Sequence, residues 1–314
     1  MAGRGRALAW LGRAGSGWAG FGMGRLHMRF SASRLKAHMA CSLRAKYRYE
    51  DKLPSRQNAK ASFGTVIHQA IAHFYESRGD HSGAVHMFRD LWAHPEKAGV
   101  EPDYWPKNTS FGSLMVKGVE MLDALNEKVK WNDITLIGTE IPFLVPFGEH
   151  ELTGFVDLLT IEKSGTGKEL LLITDHKTAG KAPSIAELAL DIQFTTYAFA
   201  SHQKEFWVGA DDPAFPGLPN GEWLWSTVGS MMERRCIWNH LMNGRQIDAG
   251  PRVTADYERM YRLCNEIEYA LKLGVAVPTI GDSCNFCDYK EPCQLEIPVS
   301  IGRLEDKDDP TRWI

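Results

Sequence analysis

Apolar positions in the first third of the chain recur with the spacing of helices. Between residues 62 and 77 they lie three and four positions apart and form one stripe: Val66, Ile67, Ala70, Ile71 and Phe74. This spacing predicts an amphipathic helix. A second helical pattern begins at Ser31, and either Ser31 or Ser33 can cap its amino terminus. Residues 80–131 are rich in Trp, His and Pro and are predicted to form a helical insertion with loops.

The middle of the chain changes to strand-like patterns. Three segments are dominated by β-branched and apolar residues: 135–145, 151–162 and 169–177. The sequence Ser-Gly-Thr-Gly-Lys between the last two predicts a hairpin turn. A helix over 186–202, a fourth core strand over 222–228 and a helix over 256–273 are expected to follow. The order of helices and strands predicts an α/β fold with a central mixed sheet flanked by helices.

Length and composition favour one large domain. The chain has 314 residues, 44% of them hydrophobic, and no run of 18 apolar residues that could cross a membrane. We expect a single domain over 28–300. Residues 281–295 would form a cysteine-containing tail packed against the N-terminal helix. Residues 1–27, rich in Gly, Ala and Arg, are interpreted as a disordered or non-native leader, and residues 301–314 as an acidic tail.

Basic residues are concentrated near the amino terminus, although the net charge is -3. Between residues 30 and 60 eight basic side chains face only Glu50 and Asp51: Arg34, Lys36, Arg44, Lys46, Arg48, Lys52, Arg56 and Lys60. Such a strip suits a phosphate backbone, but a solvated helix face gives the same pattern. Five aromatic residues could stack on unpaired bases or belong to the core: Tyr47, Tyr49, Phe63, Trp223 and Trp225.

Two predicted strands carry acidic residues within apolar surroundings. Asp175 and Lys177 lie two positions apart at the end of the third strand, so their side chains share a face. Asp157 lies on the preceding strand, beside Leu158 and Leu159. A carboxylate in such surroundings is costly unless it is paired or bound to a metal. If the two strands form a hairpin, Asp157 and Asp175 can share a cation. A surface ion pair and a turn aspartate are the alternatives.

Two helices contribute further polar candidates. His68 lies on the helix over 62–77, where a single histidine is more often a hydrogen-bonded core or surface residue. Gln193 and Tyr197 are four positions apart and share one face of their predicted helix. They could orient a phosphate or Lys177, or form an ordinary amphipathic boundary.

Three of the six cysteines have metal-ligand spacing. Cys284, Cys287 and Cys293 form a Cys-x2-Cys-x5-Cys cluster that needs a fourth ligand. Taken alone, this spacing favours structural zinc. Cys236 and Cys264 have no partner at such spacing and are expected to be small buried residues.

Taken together, the motifs resemble those of the RecB-like nucleases of the PD-(D/E)XK superfamily. The four successive motifs are Gly64-x3-His68, Gly154-x2-Asp157, Asp175-x-Lys177 and Gln193-x3-Tyr197, and the resemblance covers about residues 30–295. It implies a restriction-endonuclease-like core and a Mg²⁺ or Mn²⁺ ion bound by His68, Asp157, Asp175 and the backbone carbonyl of His176. It also implies that Lys177 assists the attacking water. Glu140, on the first predicted strand, could lie near this site and is given no role.

The cysteine pattern resembles the iron–sulfur branch of these nucleases, which includes AddB, the CRISPR adaptation nuclease and the exonuclease five family. The resemblance implies a [4Fe–4S] cluster held by Cys41, Cys284, Cys287 and Cys293, with structural Zn²⁺ as the alternative.

The function implied by the resemblance is hydrolysis of phosphodiester bonds at DNA ends or in single strands by an exonuclease. The expected setting is recombination, repair or phage DNA processing, with a helicase or recombination protein as a separate partner chain. The expected location is the cytoplasm of a bacterial or phage-infected cell, and the mitochondrion only if residues 1–27 are a transit segment. Two alternatives remain: a catalytically silent DNA-binding scaffold with a structural metal cluster, and a zinc-stapled protein of unrelated function.

Overall fold

A six-stranded mixed sheet organises the molecule. The computed structural model describes residues 28–178, 181–229 and 232–296, so the leader and the acidic tail lie outside the described residues. The strands are β1 (Arg29–Ser31), β2 (Ile134–Phe147), β3 (His150–Lys163), β4 (Glu169–Lys177), β5 (Arg234–His240) and β6 (Arg245–Asp248). β2 and β3 are antiparallel, as are β3 with β4 and β5 with β6, whereas β1 with β3 and β4 with β5 are parallel.

β3 pairs with three other strands of the sheet. One of its edges pairs with β2 along almost its whole length. The other edge is shared, because β1 pairs with Glu151–Thr153 and β4 pairs with Leu158–Lys163. The β3–β4 hairpin closes at the predicted Ser-Gly-Thr-Gly-Lys turn, where Ser164 N–H donates to the carbonyl of Lys168. Residues 154–157 of β3 lie between the segment that pairs with β1 and the segment that pairs with β4.

Helices cover both faces of the sheet. In chain order they are α1 (Ala32–Ala40), α2 (Ser42–Ala45), α3 (Ala59–Glu76), α4 (His81–Ala93), α5 (Phe111–Lys128), α6 (Ile185–Ala189), α7 (Ile192–Ser201), α8 (Lys204–Val208), α9 (Gly221–Leu224), α10 (Thr254–Lys272) and α11 (Lys290–Glu296). Short 3-10 and π turns link several of them: Lys46–Glu50, Pro95–Ala98, Trp131–Asp133, Trp225–Gly229 and Asp282–Phe286. In the described part of the chain, none of these helices is both long and apolar enough to span a bilayer.

Alternation along the strands divides the core into two layers. Leu159 and Ile173 face a cluster shared with α7 and α10. Leu158 faces the other cluster, built mainly from α3, α4 and α5. Because neighbouring strand residues point to opposite faces, one strand supports both layers. The expected α/β architecture with a mixed sheet flanked by helices is confirmed.

Two elements differ from the sequence-based expectation. Residues 222–228 were expected to form the fourth core strand, but they are helical, and β5 takes that place beside β4. The prediction was wrong because a short aromatic and apolar run has no decisive period. There, the hydroxyls of Ser226 and Thr227 donate to the carbonyl of Trp223.

The helix expected over 186–202 is interrupted. It ends at Ala189 and begins again at Ile192, because Asp191 caps the second segment and accepts from Gln193 N–H at 2.7 Å. Ser31 is the N-cap of α1, as one of the two alternatives predicted. The three-residue strand β1 was not predicted, since so short a segment carries no pattern of its own.

Candidate active site

The candidate site lies at a fork where β4 separates from β3. Their regular pairing ends at Leu158 with Thr174. Just beyond, the Asp157 carboxylate accepts a hydrogen bond from His176 N–H at 2.8 Å, in place of a backbone partner. Thr174 also marks where β4 continues alongside β5 alone. A side-chain carboxylate therefore bridges the two strands at the place where the backbone ladder stops.

His68 approaches the fork from α3. Asn58 caps this helix by accepting from Ala61 N–H, and the apolar stripe of α3 faces the core. The Nε2 atom of His68 lies 3.2 Å from the carbonyl oxygen of His176, and its Nδ1 atom lies 3.3 Å from Glu140 Oε1. The amphipathic packing of α3 thus delivers one imidazole to the end of the strand pair.

Glu140 joins His68 through an unusual backbone conformation. On β2 its φ is 44°, in the left-handed region that is uncommon for a residue other than glycine. The pairs on either side are Thr139 with Leu158 and Ile141 with Val156, so Glu140 lies across from Asp157. Ligand atoms of His68, Glu140 and Asp157 all lie within 4.8 Å of one another. Such backbone strain costs on the order of 1–3 kcal/mol and is commonly found at functional sites.

The charges in this group perturb one another. Burial, followed by the charge of the nearby Asp175 carboxylate, raises the pKa of Asp157 to about 7. Burial alone would lower the pKa of His68, but the hydrogen bond to Glu140 and the charge of Asp157 outweigh it, so the pKa is raised. The protein therefore holds several carboxylates together at a point where water screens them poorly. A bound cation would relieve that repulsion.

Asp175 and Lys177 form the second half of the site, as their shared face predicts. The Asp175 side chain is buried, and its two carboxylate oxygens lie 2.8 and 2.7 Å from Lys177 Nζ. Burial would lower the pKa of Lys177, but Asp175 outweighs it and keeps the ammonium charged. Gln193 Nε2 donates to Asp175 Oδ1 at 2.7 Å and lies 2.8 Å from Tyr197 Oη. Burial, followed by Asp157 and Asp175, raises the pKa of Tyr197 well above its ordinary value.

The side chain of His176 points to the opposite face and plays a different part from its carbonyl. Its Nδ1 atom lies 3.0 Å from Asn239 Nδ2 on β5, and its ring stacks on Tyr75. Burial, followed by the charges of His68 and Lys177, lowers the pKa of His176 to about 3, so the ring is neutral. Since the ring is fixed by packing, the carbonyl of His176 is held towards His68.

The donor set fits a hard divalent cation. Carboxylate oxygens and one imidazole nitrogen are ligands that Mg²⁺ and Mn²⁺ accept. The His176 carbonyl lies at Nε2 of His68, whereas the carboxylates lie at Nδ1. Ligands about 2.1 Å from an octahedral ion lie about 3–4 Å apart. His68 Nδ1 lies 3.3 Å from Glu140 Oε1 and 3.7 Å from Asp157 Oδ2. The motifs gave Glu140 no part in the site. The signal that could have assigned it one is the antiparallel register, which puts Glu140 across from Asp157 once β2 and β3 are paired.

A second cluster surrounds the cysteines. Cys41, Cys284, Cys287 and Cys293 all line one cavity of about 80 Å³ between the end of α1 and the C-terminal segment. Cys41 Sγ accepts from the backbone N–H groups of Thr279 at 3.4 Å and Arg44 at 3.5 Å. Tyr47 and Tyr289 form the apolar side of the cavity.

No three cysteine sulfurs in the described part of the chain lie within 4.8 Å of one another. Among the described residues only His68, Glu140 and Asp157 bring three possible ligand atoms within 4.8 Å of one another. The remaining two cysteines, Cys236 on β5 and Cys264 on α10, are buried in the core.

Several members of the basic strip are paired within the protein. Arg34 contacts Glu50, and Lys46 lies 2.6 Å from Asp51. Four members are exposed: Arg48, Lys52, Arg56 and Lys60.

Two of the aromatic residues considered for base stacking are core residues. Tyr47 and Phe63 are each 2% exposed, because they pack inside the cysteine cluster and against α4. Trp223 is 63% exposed, whereas Tyr49 and Trp225 are half-buried.

A comparison with known protein families agrees with this geometry. The family model described as the PD-(D/E)XK nuclease superfamily matches residues 29–294. No curated protein matches the chain. A solved structure described as "Crystal structure of SSO0001" aligns with 91% of this chain and 95% of that chain, at 11% identity and a TM-score of 0.31. The assignment rests on the match to the family model, which spans the sheet and both halves of the candidate site: the chain belongs to the PD-(D/E)XK nuclease superfamily.

Proposed function

We propose that this protein is a metal-dependent DNA exonuclease that hydrolyses phosphodiester bonds at DNA ends or in single strands during recombination, repair or phage DNA processing. Membership of the superfamily supports nuclease activity on DNA in general, with Mg²⁺ or Mn²⁺ as the typical metal. The observation that carries the proposal is the convergence of Glu140, Asp157 and Asp175 with His68 and Lys177 at the β3–β4 fork.

Each side chain has a role that follows from its surroundings. His68 through Nδ1, Glu140 and Asp157 would hold a metal, and Asp175 would complete the acidic set. The His176 carbonyl, which faces Nε2 of the same ring, would join them only if the His68 ring turns over. When bound, Mg²⁺ or Mn²⁺ supplies Lewis-acid chemistry for phosphodiester cleavage. Lys177, kept charged by Asp175, donates a hydrogen bond to the attacking water or to the phosphate oxygen on which charge develops.

Gln193 and Tyr197 complete the second half of the site. The amide NH₂ group of Gln193 donates to Asp175 and also to the Tyr197 hydroxyl, so Tyr197 helps to hold the donor that contacts Asp175. We expect Gln193 and Tyr197 to preserve the position of the Asp175 carboxylate. The choice of metal would depend on His68, Glu140 and Asp157.

The decisive experiment is cleavage of end-labelled DNA. Wild type is incubated with linear single-stranded, linear duplex and circular single-stranded DNA, with Mg²⁺ or Mn²⁺ and with EDTA. We expect metal-dependent shortening of linear DNA and resistance of the circle. Lys177→Ala should lower the cleavage rate by about 10²–10⁴-fold.

The matched control is Lys168→Ala, which removes an exposed lysine from the hairpin turn, where it pairs with Glu233. It should retain wild-type activity. Cleavage of the circle would replace the exonuclease proposal with an endonuclease. Absence of cleavage by wild type would favour the catalytically silent scaffold.

We further propose that the cysteine cavity holds a [4Fe–4S] cluster. Tetrahedral zinc with Zn–S bonds of about 2.3 Å holds its sulfurs about 3.8 Å apart. The four cysteines line one cavity, and two backbone N–H groups donate to Cys41 Sγ, which suits an anionic group. The resemblance to the iron–sulfur branch of these nucleases favours [4Fe–4S] over zinc. The cluster would join the end of α1 to the segment that follows α10.

Metal and sulfide analysis of anaerobically purified protein tests this proposal. About four iron atoms and four sulfides per chain are expected. Cys293→Ser should lose the iron and lower thermal stability. Cys264→Ala, a buried cysteine outside the cavity, should keep the iron. One zinc per chain with no sulfide would establish the alternative.

A further inference from the structure

A lysine on α1 reaches the candidate site from outside the sequence motifs. Lys36 Nζ donates to Gln193 Oε1 at 2.9 Å and lies 3.0 Å from Asp191 Oδ1. Asp191 in turn caps α7 by accepting from Gln193 N–H. Lys36 therefore contacts both the N-cap residue of α7 and Gln193, the residue of its first turn whose side chain reaches the site.

These contacts fix the orientation of the Gln193 amide. An ammonium group can only donate hydrogen bonds, so it selects the amide oxygen. The opposite end of the amide is then the NH₂ group, which faces the Asp175 carboxylate and the Tyr197 hydroxyl. If the amide turned over, its oxygen would face the carboxylate and repel it.

We infer that Lys36 is a positioning residue of the active site, acting through Gln193 on Asp175. The inference rests on the proposed nuclease function. It differs from the phosphate contact suggested by the basic strip, because the charge of Lys36 is used within the protein. Because its side chain is 41% exposed, Lys36 could also reach a phosphate. Separate tests therefore distinguish positioning of Gln193 from contact with DNA.

The first test is a set of three variants. Lys36→Met removes the ammonium and keeps much of the stem, Lys36→Arg restores a donor, and Lys46→Met removes a neighbouring charge that pairs with Asp51. Steady-state kinetics on end-labelled single-stranded DNA and Mn²⁺ titration by calorimetry are measured for each. Losses of outer ligand partners typically cost about 10–100-fold in activity or metal affinity.

We expect Lys36→Met to lower kcat about 10–100-fold with KM changed by less than about threefold, and to weaken Mn²⁺ binding. Lys36→Arg should recover most of kcat, and Lys46→Met should match wild type. A raised KM at unchanged kcat would instead make Lys36 a phosphate contact. Equal behaviour of Lys36→Met and Lys46→Met would also overturn the inference.

A double-mutant cycle with Gln193→Ala separates positioning from a general loss of structure. If Lys36 acts through Gln193, the double variant should be no slower than Gln193→Ala alone. Multiplicative losses would overturn the inference even if every variant is folded. Mn²⁺ affinity is measured independently of turnover. An inactive wild type would therefore count against the proposed function, whereas an unchanged affinity in Lys36→Met would count against this inference.

Discussion

Removing the charge of Asp157 should stabilise the metal-free protein while destroying its activity. Asp157→Asn keeps a side-chain oxygen that can accept from His176 N–H, so the bridge across the fork survives. What disappears is a carboxylate that is 10% exposed and lies near Asp175. We therefore expect an opposition between stability and function at this residue.

The size of the effect follows from the pKa. Burial, followed by Asp175, raises the pKa of Asp157 from 3.8 to about 7. The folded protein thus binds this proton more tightly than the unfolded chain does. The resulting stability is fully present below pH 3.8 and is lost as pH rises through 7. At about 1.4 kcal/mol per pH unit, the loss reaches about 4 kcal/mol.

Urea unfolding in EDTA at about pH 4, 5.5, 7 and 8 measures this difference. Asp157→Asn should equal wild type near pH 4 and exceed it by about 2–4 kcal/mol at pH 8. Saturating Mn²⁺ should narrow the gap by stabilising wild type. The exposed Asp123→Asn on α5 should change stability by less than about 0.5 kcal/mol at every pH. A variant less stable than wild type at pH 8, or a gain independent of pH, would refute the reasoning.

Two further predictions concern the scaffold. Gly118→Ala on α5 would place its Cβ 2.0 Å from the buried ring of Phe88, so the free energy of unfolding should fall by about 1–3 kcal/mol in urea titrations. Gly112→Ala on the same helix meets nothing within 4 Å and should be neutral or slightly stabilising. Burial, followed by Arg234, lowers the pKa of His202 from 6.5 to about 3, so stability present above pH 6.5 is lost on acidification. Between pH 7 and 5, His202→Gln should lose about 2 kcal/mol less stability than wild type, and an equal loss would contradict the assignment.

The part of the site that lies on regular elements was predictable from the sequence. Period-two spacing put Asp175 and Lys177 on one face, and the turn signal after Lys163 made β3 and β4 a hairpin. Helical spacing put Gln193 and Tyr197 together, and they meet at 2.8 Å. These residues converge because local periodicity and a short loop leave few alternatives.

The roles that the sequence did not reveal depend on long-range contacts or irregular backbone. Glu140 reaches the site through a left-handed φ that no pattern of apolar residues encodes. Lys36 contacts Gln193 across 157 positions of the chain, and in the sequence it is only one charge in a basic strip. The fold decides which residues of the basic strip are paired and which are exposed, because it brings acids such as Asp191 beside some of them.

The short helix α1 connects the two candidate metal sites physically. Lys36 on this helix holds Gln193, and the helix ends at Cys41, which lines the cysteine cavity. If the cavity holds the proposed cluster, its loss releases one end of α1, and the Lys36 contact is the first link to the active site to be affected. Cys293→Ser should then reproduce part of the kcat loss of Lys36→Met. It should add little to the loss in Lys36→Met itself, because both changes act on the same contact. Full multiplicative losses would show that the cysteine site stabilises the fold without reaching Asp175.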